Sequence, residues 1–242
     1  MTKYEKQIWS RIDKAVWEYK LIGEDDNVLV AVSGGADSMA LLALLKGRTF
    51  VYSKKIQVKG VYIDLGFGKS ADRRCQIMQD YFDQLGVEGR IVRTEIGPYA
   101  HSEANRENPC FLCSRIRRKK IFEVAEELGC NRIAFGHHKN DIVETLLMNM
   151  IFSREISTMP PDLPVFDGKY HIIRPMVFVD EYMLKKYANE KNIPTFKSGC
   201  PTDGNSKRQY VKNLLGQIES DIHGSRENIF ASMKRVKTDY LL

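Results

Sequence analysis

Nowhere in the 242 residues does an apolar run approach the roughly 18–20 positions that a membrane span requires. The opening residues, Met1 to Lys6, lead into a charged amphipathic stretch that lacks the apolar centre of a signal peptide. Neither membrane insertion nor secretion is expected, and the reading is a cytoplasmic protein. Cysteine is sparse and odd in number, at Cys75, Cys110, Cys113, Cys130 and Cys200. An odd set in such a chain is a poor disulfide framework, so metal binding or redox chemistry becomes the better question. A second C-x-x-C is missing, which excludes a zinc ribbon, and no Gly-Lys-Ser/Thr closes a Walker A loop. Acid is not in excess: 37 Lys and Arg against 31 Asp and Glu give a net charge of +6. That balance fits a polyanionic partner and equally a basic soluble enzyme.

What is present is an alternation. Ile8, Trp9, Ile12, Ala15, Val16 and Tyr19 recur at helical spacing over 4–21. Val28 to Val32 is a short unbroken apolar run, as expected of a strand buried on both faces, and a helix begins near Asp37. Strands at 56–63, 90–95 and 131–135 then alternate with helices at 72–85, 114–128 and 139–151. This is the pattern of βαβ units, so the expected fold class is α/β with a parallel doubly wound sheet. Residues 97–112 and 153–170 read as irregular excursions, rich in Asn, Pro and Gly. Helices are expected at 180–192, 206–220 and 225–238, with a loop from Pro194 to Asn205. At about 150 residues per domain the length allows one large domain or two small ones. No linker or repeat is visible, and the reading is one domain over 1–242, with an N-terminal helix in 1–22 and a helical extension in 195–242.

Ser33-Gly34-Gly35-Ala36-Asp37-Ser38 falls between a buried strand and a helix start. Glycines there turn the chain tightly and expose N–H groups at a helix N-terminus, which suits phosphate or pyrophosphate. The plainer alternative is a tight turn in which Asp37 or Ser38 caps the helix. Cys110-Phe111-Leu112-Cys113, placed just before a helix, supplies two metal ligands, and two do not close a site. Of the remaining cysteines Cys130 reads as buried before a core strand, Cys75 as a helix-face residue, and Cys200 lies in a Gly-Cys-Pro loop free to reach a metal. A structural zinc or a simple thiol pair stays open beside a cluster.

The Ser33–Ser38 text resembles the PP-loop family, the N-type ATP pyrophosphatases, which split ATP between its α and β phosphates and adenylate a substrate. Some branches carry lysine where this chain has Ala36, so here the neutralising charge must come from Mg²⁺ or another cation. The stretch Pro109–Arg118, Gly136-His137-His138-Lys139-Asn140-Asp141, Arg174-Pro175, Cys200 and Asn205–Gln209 narrows the resemblance to the TtcA/TtuA branch of iron-sulfur tRNA thiolation enzymes, nearer to TtcA.

The resemblance implies an adenine nucleotide alpha hydrolase-like fold with ATP, Mg²⁺ and a 4Fe-4S cluster as cofactors. It implies cluster ligation by Cys110, Cys113 and Cys200. It also implies an ATP site of Ser33, Gly34, Gly35, Asp37, Ser38, Gly136 and Asp141, with Ile63 offering its backbone to adenine by position. Asp37, Asp141 and Arg117 are the candidate catalytic residues. Asp141 reads either as an aid to Mg²⁺ or proton transfer or as a first-turn acid on its helix. Arg117 and Arg118, in the Arg115–Lys120 run, read either as phosphate contacts or as a solvated face. Lys207, Arg208, Lys212, Lys234, Arg235 and Lys237 are candidates for tRNA-backbone contacts. His137 and His138, being adjacent, fit phosphate contact or helix entry better than a shared metal.

The partners implied are tRNA and a sulfur donor, either sulfide or a cysteine desulfurase system, with a homodimer left open. An ATP-dependent sulfurtransferase or amidotransferase acting on a small molecule, and a non-catalytic nucleotide-binding module, are the alternative functions.

Overall fold

The computed structural model describes residues 2–52, 56–202, 204 and 206–241. In chain order the elements are α1 (Lys3–Glu18), β1 (Asn27–Val32), α2 (Ala36–Lys46), α3 (Thr49–Tyr52), β2 (Gln57–Asp64), α4 (Ala71–Leu85), β3 (Gly89–Arg93), α5 (Ile96–Ala100) and α6 (Pro109–Glu127). There follow β4 (Arg132–Phe135), α7 (Lys139–Phe152), β5 (Asp162–Val165), β6 (Tyr170–Ile173), α8 (Glu181–Glu190), α9 (Lys207–Asp221) and α10 (Ser225–Ser232).

The six strands lie in the order β3-β2-β1-β4-β6-β5. Neighbours from β3 to β6 pair parallel, with Val28 opposite both Val58 and Arg132, and only β5 runs antiparallel, against β6. The sheet is therefore mixed at one edge. The hairpin of β5 and β6 lies in the stretch expected to be irregular, and three successive residues with positive φ, Phe166, Asp167 and Gly168, turn it.

The unbroken apolar run of β1 serves two faces. Val28, Val30 and Val32 join the larger core cluster with residues of α1, α2, α4 and α8, whereas Leu29 joins a second cluster with Val61, Ile63, Ile133 and, from α6, Ile121, Val124 and Ala125. Helices thus cover both sides, and a central strand needs no polar face. From β1 the chain winds outward to β2 and β3, then returns to place β4 on β1's other side. That reversal opens a crevice above the carboxyl ends of β1, β2 and β4, where ligands of open α/β sheets bind.

Two further local differences bear on the site. The C-x-x-C is not ahead of a helix but inside its first turn, because Asn108 accepts from the N–H groups of Cys110 and Phe111 and Pro109 occupies the first turn. The last helix stops at Ser232, short of the expected 238, and a 3₁₀ turn occupies Thr238–Tyr240. Asn205 lies outside the described residues.

Candidate active site

A cleft of about 500 Å³ opens above those strand ends, lined from β1 and its loop by Ser33, Gly35, Asp37 and Ser38 and from β2 by Ile63 and Asp64. Gly136, His137 and Asp141 line it beyond β4, Arg117 from α6, and Phe196, Lys197 and Ser198 from the segment after α8.

The loop after β1 is tightly wound. Ser33 N–H donates to Ser38 Oγ at 2.9 Å, the two hydroxyls lie 3.1 Å apart, and Ser38 Oγ donates to Gly35 O at 3.2 Å. Gly34 sits at φ +85°, and a Cβ on it would lie 2.3 Å from Phe196 Cε2. Phe196 N–H donates to Gly34 O at 2.9 Å, so the 194–202 segment is pinned across the loop. On the opposite side Gly136 lets β4 approach α2 so closely that a Cβ would stand 2.8 Å from Ser38 N.

Asp37, in the first turn of α2, has a buried Oδ1 with no hydrogen-bond partner, and burial raises its pKa. A buried acceptor without a donor is costly unless a cation or proton completes it. His138 Nε2 stands 3.8 Å from Asp37 Oδ2 and 3.4 Å from Asp141 Oδ2.

Asp141 and His138 also close a capping box on α7: His138 N–H donates to Asp141 Oδ2 and Asp141 N–H donates to His138 Nδ1. Asp141 Oδ1 accepts from Arg208 of α9 at 2.8 Å. The helix-start reading of Asp141 is thus realised in full, and the residue still faces the cleft. His137 is half-buried, accepts from Arg174 Nε at Nδ1 (3.3 Å), and is pushed down to about 4 by burial, so it is a neutral ring with its proton on Nε2.

Asp64 floors the cleft. It is 2% exposed and accepts from Arg74 Nε and Nη2, Tyr62 OH and Gly66 N–H. Arg74, ten residues along the chain, is invisible to pattern reading. Arg117 reaches the cleft half-buried, with no carboxylate partner among the described residues, and burial lowers its pKa. Arg118 is exposed, and Arg115 is spent on Glu107 and the Phe111 ring. In the second basic group Arg208, Lys212 and Lys234 hold Asp141, Glu181 and Glu18, so they brace the C-terminal helices, while Lys207 lies over Phe152.

Two thiols, Cys110 and Cys200, meet beside the cleft, with Cys113 one turn along α6 from Cys110. As the side chains stand, no three Cys, His, Asp or Glu among the described residues are grouped closely enough to hold a metal ion. Thr202 Oγ1 is 3.6 Å from Cys110 Sγ and 3.2 Å from Cys200 Sγ, so those sulfurs are no more than about 7 Å apart, the two contacts end to end. Cys113 is half-buried, and burial, then the neighbouring thiols Cys200 and Cys110, raise its pKa against the pull of Arg117. All five cysteines are free, and Cys75 and Cys130 lie apart in the core. Soft thiolates in this number suit iron-sulfur or zinc chemistry. The thiol set and the cleft share two segments: Arg117 follows Cys113 by one helical turn, and Ser198 precedes Cys200 by two residues.

A strand-loop-helix phosphate cradle at the reversal point of a largely parallel sheet defines a nucleotide-binding α/β protein. The chain belongs to the PP-loop family, whose PP-loop domain matches residues 4–218. It is 34% identical to the tRNA-cytidine(32) 2-sulfurtransferase of Nitrosospira multiformis over 99% of this chain and 80% of that protein. It is likewise 34% identical to the enzyme of that name from Syntrophotalea carbinolica, over 95% and 88%. Among solved structures, the U34-tRNA thiolase NcsA from Methanococcus maripaludis with its 4Fe-4S cluster superimposes with a TM-score of 0.79 at 21% identity, covering 96% of this chain and 78% of that one. An NH3-dependent NAD synthetase from Campylobacter jejuni shares the fold at a TM-score of 0.53 and 14% identity.

Proposed function

We propose that this chain is an ATP-dependent tRNA 2-thiolation enzyme, acting on a cytidine as its curated relatives are named to do. The observation that carries the reading is the adjacency of the cleft to the set of Cys110, Cys113 and Cys200. In the first step the pyrimidine O2 attacks the α-phosphorus of ATP and pyrophosphate leaves. In the second, a sulfur nucleophile attacks the activated carbon and AMP departs with the former carbonyl oxygen. Adenylation is needed because a carbonyl oxygen is otherwise a poor leaving group.

In this reading the N–H groups of Gly34 to Asp37 and the α2 N-terminus receive the pyrophosphate. The orphaned Asp37 Oδ1 fits a hard divalent cation, so Asp37 would hold Mg²⁺. Arg117, which has no carboxylate partner among the described residues, would face the charge that grows at the α-phosphate. Neutral His137 offers an Nε2–H to a phosphoryl oxygen without bringing a proton that could escape. Ile63 lies where its backbone can meet adenine. Cys110, Cys113 and Cys200, the sulfur ligands nearest the cleft, would hold a 4Fe-4S cluster once drawn together, and the cluster when bound would supply an iron free of cysteine to hold sulfide beside the reacting carbon. Arg118 and Lys119, exposed on α6 beyond the C-x-x-C, suit an RNA backbone.

The test is iron and acid-labile sulfide per chain on protein reconstituted without oxygen, together with thiolation of a tRNA transcript by ATP and sulfide, read by nucleoside mass spectrometry. About four irons in wild type, lost in Cys200→Ala and kept in Cys130→Ala, is expected, along with 2-thiocytidine. Zinc in place of iron, or iron indifferent to Cys200, would remove the sulfur-delivery step and favour a PP-loop enzyme acting on a small molecule.

A further inference from the structure

The cradle formed by Ser33 to Ser38 contains no cation, since Ala36 fills the position at which a lysine would stand inside the loop. Among the described residues lining the cleft, the charged cations are Arg117 and Lys197. They enter from different directions. Arg117 comes from α6, one turn from Cys113. Lys197 directly follows Phe196, whose N–H donates to Gly34 O and whose ring occupies the space a Gly34 side chain would need. The root of the lysine is therefore fixed on the phosphate loop itself.

Of the acids lining the cleft, Asp37 keeps a buried Oδ1 without a partner, and the other two are engaged. Asp64 is held by Arg74, and Asp141 by Arg208 and His138. Lys197 makes no ion pair or hydrogen bond among the described residues, in contrast to Lys212 and Lys139, which are each tied to carboxylates. Lys197 is an exposed residue of the cleft lining, rooted next to the loop, and the flexible stem of an unpaired lysine can swing its ammonium to a phosphate chain and follow it when it is cut.

We propose that Lys197 is a phosphate ligand of the bound nucleotide, supplying from the 194–202 segment the positive charge that the Ser33–Ser38 loop lacks. The proposal rests on the nucleotide reading of the cleft. It makes Lys197 a β,γ-phosphate contact and leaves the α-phosphate to Arg117. It also ties nucleotide occupancy to the position of Cys200, three residues further along the same pinned segment.

The experiment is calorimetric binding of an α,β-methylene analogue of ATP and of adenosine, in magnesium buffer, to wild type, Lys197→Met and Lys197→Arg. Loss of one charge-assisted contact at an exposed site is expected to weaken the analogue by about tenfold in Lys197→Met. Adenosine binding should be unchanged, and Lys197→Arg should recover most of the loss. Unaltered affinity for the analogue in Lys197→Met would overturn the proposal. An equal loss for analogue and adenosine would overturn it too, since the residue would then act through the position of its segment. If wild type binds neither ligand, the nucleotide reading itself falls, and that outcome is separate from a failure confined to the variants.

Discussion

Gly34→Ala tests whether the 194–202 segment is a working part of the phosphate loop. The new methyl group meets two obstacles. At φ +85° an alanine costs about 1–2 kcal/mol relative to glycine. Its Cβ also lands 2.3 Å from Phe196 Cε2, where carbon atoms need about 3.5 Å or more, so the ring must retreat by more than an ångström. That retreat breaks the 2.9 Å bond from Phe196 N–H to Gly34 O, about 1 kcal/mol. It also spoils the edge-to-face contact of Phe196 with Tyr62 at 5.6 Å, about 1 kcal/mol more. The sum is about 3–4 kcal/mol, near 10 °C in Tm for a chain of this length. In a Phe196→Ala background the clash has no partner, and Gly34→Ala should cost only its backbone term. A double-mutant cycle by urea unfolding should therefore show sub-additivity of about 2 kcal/mol. Additivity within about 0.5 kcal/mol would refute the claimed contact.

Further outcomes follow from the same geometry. Arg117→Met should leave Tm unchanged or slightly raised, because a half-buried guanidinium without a carboxylate is a burden on folding, while kcat drops by about a hundredfold in the thiolation assay; a fall in Tm with kcat intact would contradict the assignment. Gly136→Ala should abolish binding of the ATP analogue, since its Cβ would meet the Ser38 backbone at 2.8 Å and no side-chain rotation relieves it; near-normal affinity would show that the approach of β4 to α2 is dispensable.

Acid should weaken the fold in two stages, read by urea unfolding across pH. His137, at about 4 when folded against an ordinary 6.5, lets the unfolded chain take up a proton first, so stability is lost as pH falls from about 6.5 to about 4. Glu181 is held at about 2 against burial by Lys185 and Lys212, so its share is full above about 4.5 and lost as pH falls toward 2. Each contributes about 2 kcal/mol after allowance for exposure. Glu181→Gln should remove the lower stage alone, and an unchanged profile would sink that attribution.

The central sheet was legible because its signals are local. Val28–Val32, the strand runs that follow and the helices between them carry their periodicity within a dozen residues. The Ser33–Ser38 loop was legible for the same reason, as its chemistry lies in adjacent letters. The hairpin of β5 and β6 was not, because Pro160, Pro161, Pro164 and Gly168 carry the signature of irregular chain, and a proline is tolerated on an edge strand. The early start of α6 was written in Asn108-Pro109, a cap followed by a first-turn proline, but the surrounding polar residues concealed it. Arg74 under Asp64, Arg208 on Asp141 and Phe196 on Gly34 join residues 10, 67 and 162 positions apart, and no spacing rule anticipates such pairs. Lys197 belongs to the same class, since only the anchoring of Phe196 brings it to the loop.

The edges of the sheet constrain how copies of this chain can meet. At one edge β5 exposes Pro164, which has no N–H to give, on a strand of only four residues. At the other, β3 is five residues long and bears Arg90 and Arg93, charges that a growing sheet would crowd against its next strand. Neither border is a template for another strand. Self-association, and by the same reasoning slow aggregation of the native state, is thereby steered away from strand addition and toward the helical faces, where contacts come from side chains and can be undone by single substitutions.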